Sequence, residues 1–513
     1  MSPPASRSGL TGVWLAGALL ALLAFRFWFA AALPMTGDEA YFVLWGERPA
    51  GGYYDHPPMV GWWLVALLQL GRAEWWLRLP ALLLPFVLAW GAWFMLRAQG
   101  EARARYAALL VLLQPVDVWN VLITTDTPVI LFSFLSVLAY VTGARRASSG
   151  WHVAAGLLLT AAFLGKYFAA LLGFAYFAHV VFARRDRGRW AQFAALTAAA
   201  LLGPVYNLWW NSGHCWVNVL FNFFNRHEGA GFQWQNPPLY LLSLAYLATP
   251  WVLWSLWCER RNLREAITAS ATLRTAAWLS AVPLGLFLLM AFGRSVGLHW
   301  LLAFMPLIAV LAAGALPATT LQRLVRWSAA FALLHVLVAI VTLSLPVETW
   351  RKAGFYPGIV LTLRGDELAQ ALQEPLARCG EGCVLAMESY SSGATLSYAV
   401  QRPVAIFGEG SFHARQDDFD TDWRTLDGRD FLVLRKGDSD GADLAPFFRG
   451  LAVSTIELHG ARFSLIAGQG FDYALYHERV LGRIRERFYR LPAWLPQRGC
   501  GYFERYFAET VDK

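Results

Sequence analysis

From about residue 10 to residue 346 the chain repeats one pattern: an apolar run long enough to cross about 30 Å of hydrocarbon, then a short polar connection. Lipid offers no partners for backbone amides, so such runs are restricted to transmembrane helices. Composition agrees. Of the 513 residues 57% are hydrophobic and only 15% charged, and the 25 Trp fit interfacial belts. The net charge of +8 belongs to this part, because residues 1–346 hold 23 Lys and Arg against 12 Asp and Glu, while 347–513 hold 20 against 23. The basic residues sit in short clusters between apolar runs, which is an orientation signal rather than a nucleic-acid surface. No nucleic-acid partner is expected.

The arginines choose sides. With a cytoplasmic N-terminus and an uncleaved first span over residues 10–34, the cytoplasmic connections are 97–105, 144–149, 184–189, 258–274 and 317–326, and each is basic. The alternate connections, 35–75, 124–127, 165–166, 211–238 and 293–299, hold nearly all the Asp, Glu, His and Asn of this part. This pattern requires that residues 57–71 lie along the outer interface instead of spanning, and that 151–183 form two spans turning at Gly165 and Lys166. The expectation is a polytopic α-helical membrane protein of about eleven helices over 1–346, with juxtamembrane helices on its outer face. From 347 onward charges become dense, and β-rich strings (CVLAM, RPVAIF, FLVLR, ARFSLIAG) alternate with a helical DELAQALQEPLA. Residues 347–513 therefore read as a soluble α/β domain on the side opposite the cytoplasm. In an oxidising compartment Cys379 and Cys383 can pair, or one of them with Cys500; the spacing fixes neither the connectivity nor whether they stay thiols.

Chemistry concentrates in residues 36–58, TGDEAYFVLWGERPAGGYYDHPP, directly after the first span. Asp38 and Glu39 are candidate catalytic groups, one acting as base toward an acceptor hydroxyl or amine, the other binding a metal or holding the geometry. The plainer alternative is a helix cap with two solvated carboxylates. Tyr54, Asp55 and His56 precede two prolines that stop any helix and stiffen the backbone, so His56 is placed to meet a phosphate or a metal, while Asp55 also suits a helix cap. Asp126 in ITTDTP stands at an outer helix start, and Lys166, among the very few lysines of the spans, calls for an anionic partner, Asp126 or a lipid phosphate. The loop 211–238 interleaves aromatics with Asn, Arg226, His227 and Glu228, a mixture that suits a sugar ring, as it would an interfacial belt. GRSVGLHW adds Arg294, His299 and Trp300. A cationic group of Lys166, Arg294 and His56 would serve a lipid-linked phosphate. Asp38, Glu39, Asp55, His56 and His227 are candidate ligands for a divalent metal, although their spacing forms no metal motif, and no other cofactor is indicated.

The ordered set GDEAYFVLW, YYDHPPM, TTDTP, LGKYFA, NRHEG and LHWLLAFMP, over about residues 10–316, resembles the bacterial family 39 glycosyltransferases. These are GT-C-fold relatives of protein O-mannosyltransferases and of the aminoarabinose transferase that modifies lipid A. The tail run MESYSSGATLSYAVQRPV is loosely similar to the small outer domains of this group. The resemblance implies inverting transfer of a hexosyl or pentosyl unit from a polyprenyl-phosphate carrier to a lipid, polysaccharide or protein acceptor, on the periplasmic face of the inner membrane. It assigns Asp38 as the catalytic carboxylate, with Glu39 beside it. His56 stands where the aminoarabinose transferase has a phosphate-binding lysine, and His299 where it has an aromatic residue near the donor. A flippase for the lipid-linked sugar, or a non-catalytic sugar-lipid binding protein, would share the same composition. The gathering of ionisable residues on one face, away from the midplane of an inverted repeat, favours the enzyme.

Overall fold

The computed structural model describes residues 6–227 and 231–508. The chain divides into two compact units, one formed by 1–33, 70–207 and 229–343, the other by 34–69, 208–228 and 344–513. The second unit thus takes in two early segments besides the tail that composition marks from 347.

The first unit is helical. Among the described residues seven helices are long and apolar enough to cross a membrane, from Thr11–Ala32 to Ala318–Ser344, and the pair Asn236–Ala248 and Pro250–Cys258, bent by 94°, makes an eighth if counted as one span. This is a multi-pass membrane protein. The remaining expected spans fall on shorter helices, Glu101–Leu112, Ser149–Phe163 and Tyr167–Phe182. The chain breaks at 164–166 as expected, with Lys166 extended between two helices. A Cβ on Gly165 would come within 3.1 Å of Pro128 and of the Val129 amide, a tight approach, so glycine favours the close packing of this turn against the neighbouring helix start. Leu20, Phe27, Trp90, Leu289 and Leu337 point outward and are exposed, as lipid-facing side chains would be.

Polar anchors hold the helices together. The Arg26 guanidinium, fully buried, donates to the carbonyls of Ala81 (2.5 Å), Leu82 (3.1 Å), Asp117 (2.6 Å), Val118 (3.4 Å) and Asn120 (2.8 Å). Several basic residues of the connections also satisfy helix C-terminal carbonyls: Arg103 donates to Ala313 (3.0 Å) and Gly314, and Arg145 to Met95 (2.6 Å).

The second unit carries a five-stranded sheet of β1 (Val384–Met387), β2 (Ala405–Ile406), β3 (Phe431–Lys436), β4 (Phe448–Leu458) and β5 (Ala461–Phe471), in the order β2-β1-β3-β5-β4. β1 runs parallel to β2 and β3, and β5 antiparallel to β3 and β4. The helix Tyr390–Val400 makes the crossover from β1 to β2, and His459 and Gly460, both at positive φ, close the β4–β5 hairpin. The four expected strands and the helix Gly365–Cys379 are present, but β4 was not expected. It is a sheet edge, half-exposed along FRGLAVSTIEL, so its sequence lacks the apolar run that marks its neighbours.

Cys379 and Cys383 are bonded to each other, whereas Cys500 pairs with Cys215, a partner outside the expected alternatives. The Cys215 bridge clips segment 211–216 to 496–500, beside hydrogen bonds from Arg498 N to Ser212 O (2.7 Å) and from Trp216 Nε1 to Pro496 O (2.9 Å). It closes a loop of 285 residues against 4 for the other bridge. Cys500→Ser is therefore expected to destabilise the protein by about 2–5 kcal/mol, and Cys379→Ser by much less, in thermal unfolding of the purified protein.

Candidate functional site

In the second unit the helix Gly37–Glu47 opens with a reciprocal capping box: the Glu39 amide donates to Thr36 Oγ1 (3.4 Å), and Glu39 Oε2 accepts from Thr36 N (3.2 Å) and Thr36 Oγ1 (3.0 Å). Glu39 is fully buried. Its carboxylate holds the helix start, which is the geometric of the two roles open to it. Asp38, one residue earlier, is exposed, and its Oδ1 accepts from the Tyr390 hydroxyl at 3.2 Å. Gly37 permits this approach, because a Cβ there would stand 2.0 Å from Ser391 Oγ. Burial first, then the charges of Asp38 and Asp55, raise the pKa of Tyr390, so its hydroxyl stays protonated and serves as a donor to Asp38 at neutral pH.

The DHPP turn is held from the short helical segment 217–227. Asn218 Nδ2 donates to the carbonyls of Tyr53 and Tyr54, the latter at 2.9 Å, and Asn225 Nδ2 donates to the Tyr54 hydroxyl at 3.1 Å. Tyr54 is fully buried, with its amide donating to Gln416 Oε1 at 3.0 Å, so it is a structural anchor of the turn. His56 Nδ1 lies 3.0 Å from Asp55 Oδ2, close enough for an ion pair but poorly aligned as a hydrogen bond, and Asp55 Oδ1 is buried with no hydrogen-bond partner among the described residues. Arg226 lies over the Phe221 ring at 5.9 Å and interacts electrostatically with Asp55. His413, from the tail, is in electrostatic range of Arg226, Asp55, Asp38 and His56; burial and Arg226 lower its pKa, leaving a neutral imidazole at pH 7. Glu228 and the His227 side chain lie outside the described residues.

Within the first unit, Lys166 Nζ meets Asp126 Oδ1 at 2.9 Å, with both residues buried. Of its two expected anions, Lys166 has the protein one. The ammonium stands 5.8 Å from the Phe168 ring, Phe168 packs on Trp300 at 4.1 Å, and Arg294 lies 5.6 Å from the Trp300 ring, with His299 at 6.2 Å. The structure thus links Asp126, Lys166, Arg294, His299 and Trp300 through a short run of aromatic contacts. Lys166 has three donors and Asp126 engages one, which leaves capacity for a second anion.

Among the described residues no three of His, Cys, Asp and Glu are placed to hold a metal ion. Of the five candidates, the His227 side chain lies outside the described residues and Glu39 is engaged in the capping box, and no step is assigned to a metal.

Sequence reasoning missed Tyr390 and His413. Tyr390 lies 352 residues from the carboxylate it meets, and a lone Tyr or His in a soluble tail carries no periodic or spacing signal.

Residues 55–210 match the family model described as dolichyl-phosphate-mannose-protein mannosyltransferase. The lipid A galacturonosyltransferase RgtD of Rhizobium johnstonii is 29% identical over 210 residues, 38% of this chain and 43% of RgtD, so the chain spans less than half of that relative's length. The fold is that of ArnT from Cupriavidus metallidurans: the apo structure covers 89% of this chain and 98% of its own at 16% identity and a TM-score of 0.59, and the undecaprenyl-phosphate complex covers 88% and 98% at 15% and 0.61. The resemblance to the family 39 glycosyltransferases therefore extends from motifs to sequence and to the GT-C fold.

Proposed function

We propose that this protein is an inverting glycosyltransferase that moves a hexosyl or pentosyl unit from a polyprenyl-phosphate carrier to a glycolipid acceptor on the periplasmic face of the inner membrane. The observation that carries this reading is Asp38: an exposed carboxylate at a helix start, oriented by Tyr390, beside a Glu39 held in the cap. The ArnT fold, known with undecaprenyl phosphate, supports the donor class, and the similarity to a lipid A galacturonosyltransferase supports the acceptor class.

In this reaction Asp38 takes the proton of the acceptor hydroxyl as its oxygen attacks the anomeric carbon, and the bond from that carbon to the lipid phosphate breaks with the electron pair leaving on the phosphate. One displacement inverts the centre. Lys166 and Arg294 are assigned to the phosphate charge, with His56 and His299 as further donors, and Asp126 orients Lys166. Asp55, Arg226, His227 and Trp300 are assigned to the sugar. Cells expressing the wild type should contain lipid A heavier by one sugar residue, absent with Asp38→Asn, as read by mass spectrometry. Unchanged lipid A masses would overturn the acceptor assignment.

With the bent pair and the helices Glu101–Leu112, Ser149–Phe163 and Tyr167–Phe182 taken as crossings the number is eleven, and an odd number supports a tail opposite the N-terminus. Cys258, exposed and the one free cysteine among the described residues, then faces the cytoplasm. A membrane-impermeant maleimide should label it in inverted vesicles and not in spheroplasts; the reverse pattern would invert the topology.

A further inference from the structure

A cavity of about 410 Å³ lies wholly within the second unit, away from the DHPP turn. One wall comes from the helix Gly37–Glu47, through Tyr41 and Trp45. Another comes from β2, the edge strand of the sheet, and from residues 417–429. Tyr390 belongs to the lining, and it is the residue whose hydroxyl donates to Asp38. Its ring packs edge-on against Tyr41 at 5.4 Å, and Tyr41 against Trp45 at 5.1 Å, so a continuous aromatic wall leads from the cavity to the carboxylate.

We propose that this cavity is the acceptor subsite and holds a saccharide unit of the acceptor, next to the one whose hydroxyl is glycosylated; this rests on the transferase reading above. The size lies within the range of about 300–1,000 Å³ usual for small-molecule sites. The lining suits a sugar better than an anion or a lipid tail. Three arginines and four acidic residues face it, a near balance that would not select a phosphate, and polar groups are too many for an acyl chain. Two of the charges are already paired, Arg48 with Asp420 at 3.2 Å, which leaves neutral hydrogen-bonding capacity beside aromatic faces. Asp417 adds to this: burial, then Asp418, hold its carboxyl well above the usual carboxylate range, so it donates as well as accepts. The Trp45 indole N–H, in the same wall, is a buried donor with no partner among the described residues. Tyr390 then has two functions, closing the cavity and holding Asp38, so a saccharide seated there would present its neighbour's hydroxyl beside the base.

The test uses full-length protein in detergent and two variants, Thr425→Trp, which fills the cavity from an exposed position, and Asp417→Asn. The binding probe is the glucosamine disaccharide of lipid A freed of its acyl chains, followed by saturation-transfer NMR. Saturation is expected with the wild type and is lost with Thr425→Trp. In transfer assays the acceptor KM should rise at least tenfold in both variants while the donor KM stays within twofold. Absence of probe binding by the wild type, or an unchanged acceptor KM in Thr425→Trp, would overturn the subsite. A wild type that binds the disaccharide but transfers nothing would retain the subsite and remove the transferase reading.

Discussion

Asp38→Asn is expected to lower kcat for sugar transfer by about 10²–10⁴-fold, the range of a positioned general base, with the fold intact. Asp38 is exposed and among the described residues its side chain makes one hydrogen bond, which the asparagine carbonyl can still accept from Tyr390, so thermal unfolding should shift little. The adjacent residue separates catalysis from architecture. Glu39→Gln keeps both halves of the capping box, because glutamine serves as well as glutamate at that position, and should retain activity within about threefold. A Glu39→Gln variant as inactive as Asp38→Asn would mean that Glu39 carries chemistry beyond its cap. An Asp38→Asn variant near wild-type rate would move the base elsewhere in this unit, with His413 the next neutral group in electrostatic range of the same charges.

Arg26→Leu should be the most destabilising single change in the membrane unit, at least about 3 kcal/mol. It removes the guanidinium, and with it the hydrogen bonds to five carbonyls of two neighbouring segments, 81–82 and 117–120. Arg26→Lys keeps the charge but offers three donors from a single point, so it should fall between leucine and wild type. The check is the thermal unfolding midpoint of the purified protein in detergent. Midpoints for both variants within 1 °C of wild type would show that these bonds add nothing net.

Fold class was legible because the membrane leaves few options: apolar runs and arginine clusters determine helices and sides before any packing is known. The break at Gly165 and Lys166 was legible for the same reason, since a run of 33 residues (151–183) is too long for one crossing. What escaped depends on contacts between segments far apart in the chain. Arg26 reads as an isolated charge in a span until five carbonyls are seen around it. Cys215 gives no spacing cue toward Cys500, and β4, half-exposed at a sheet edge, lacks an apolar signature. The candidate site divides in the same way. Asp38, Lys166 and Asp126 stand out because charge next to apolar sequence is costly. Tyr54, singled out with Asp55 and His56 before the double proline, is buried as the anchor of the turn, and Tyr390 became visible only when the tail was seen to return to the helix Gly37–Glu47.

Donor dependence tests the central claim most directly. Purified protein is given lipid A with a radiolabelled sugar supplied either on undecaprenyl phosphate or as the nucleotide sugar, and label in the acceptor is counted. The expected result is label from the lipid-phosphate donor alone, with release of undecaprenyl phosphate in equal amount and an inverted anomeric configuration in the product. Label from the nucleotide sugar, or passage of the lipid-linked donor across a vesicle membrane with no transfer from either donor, would contradict it.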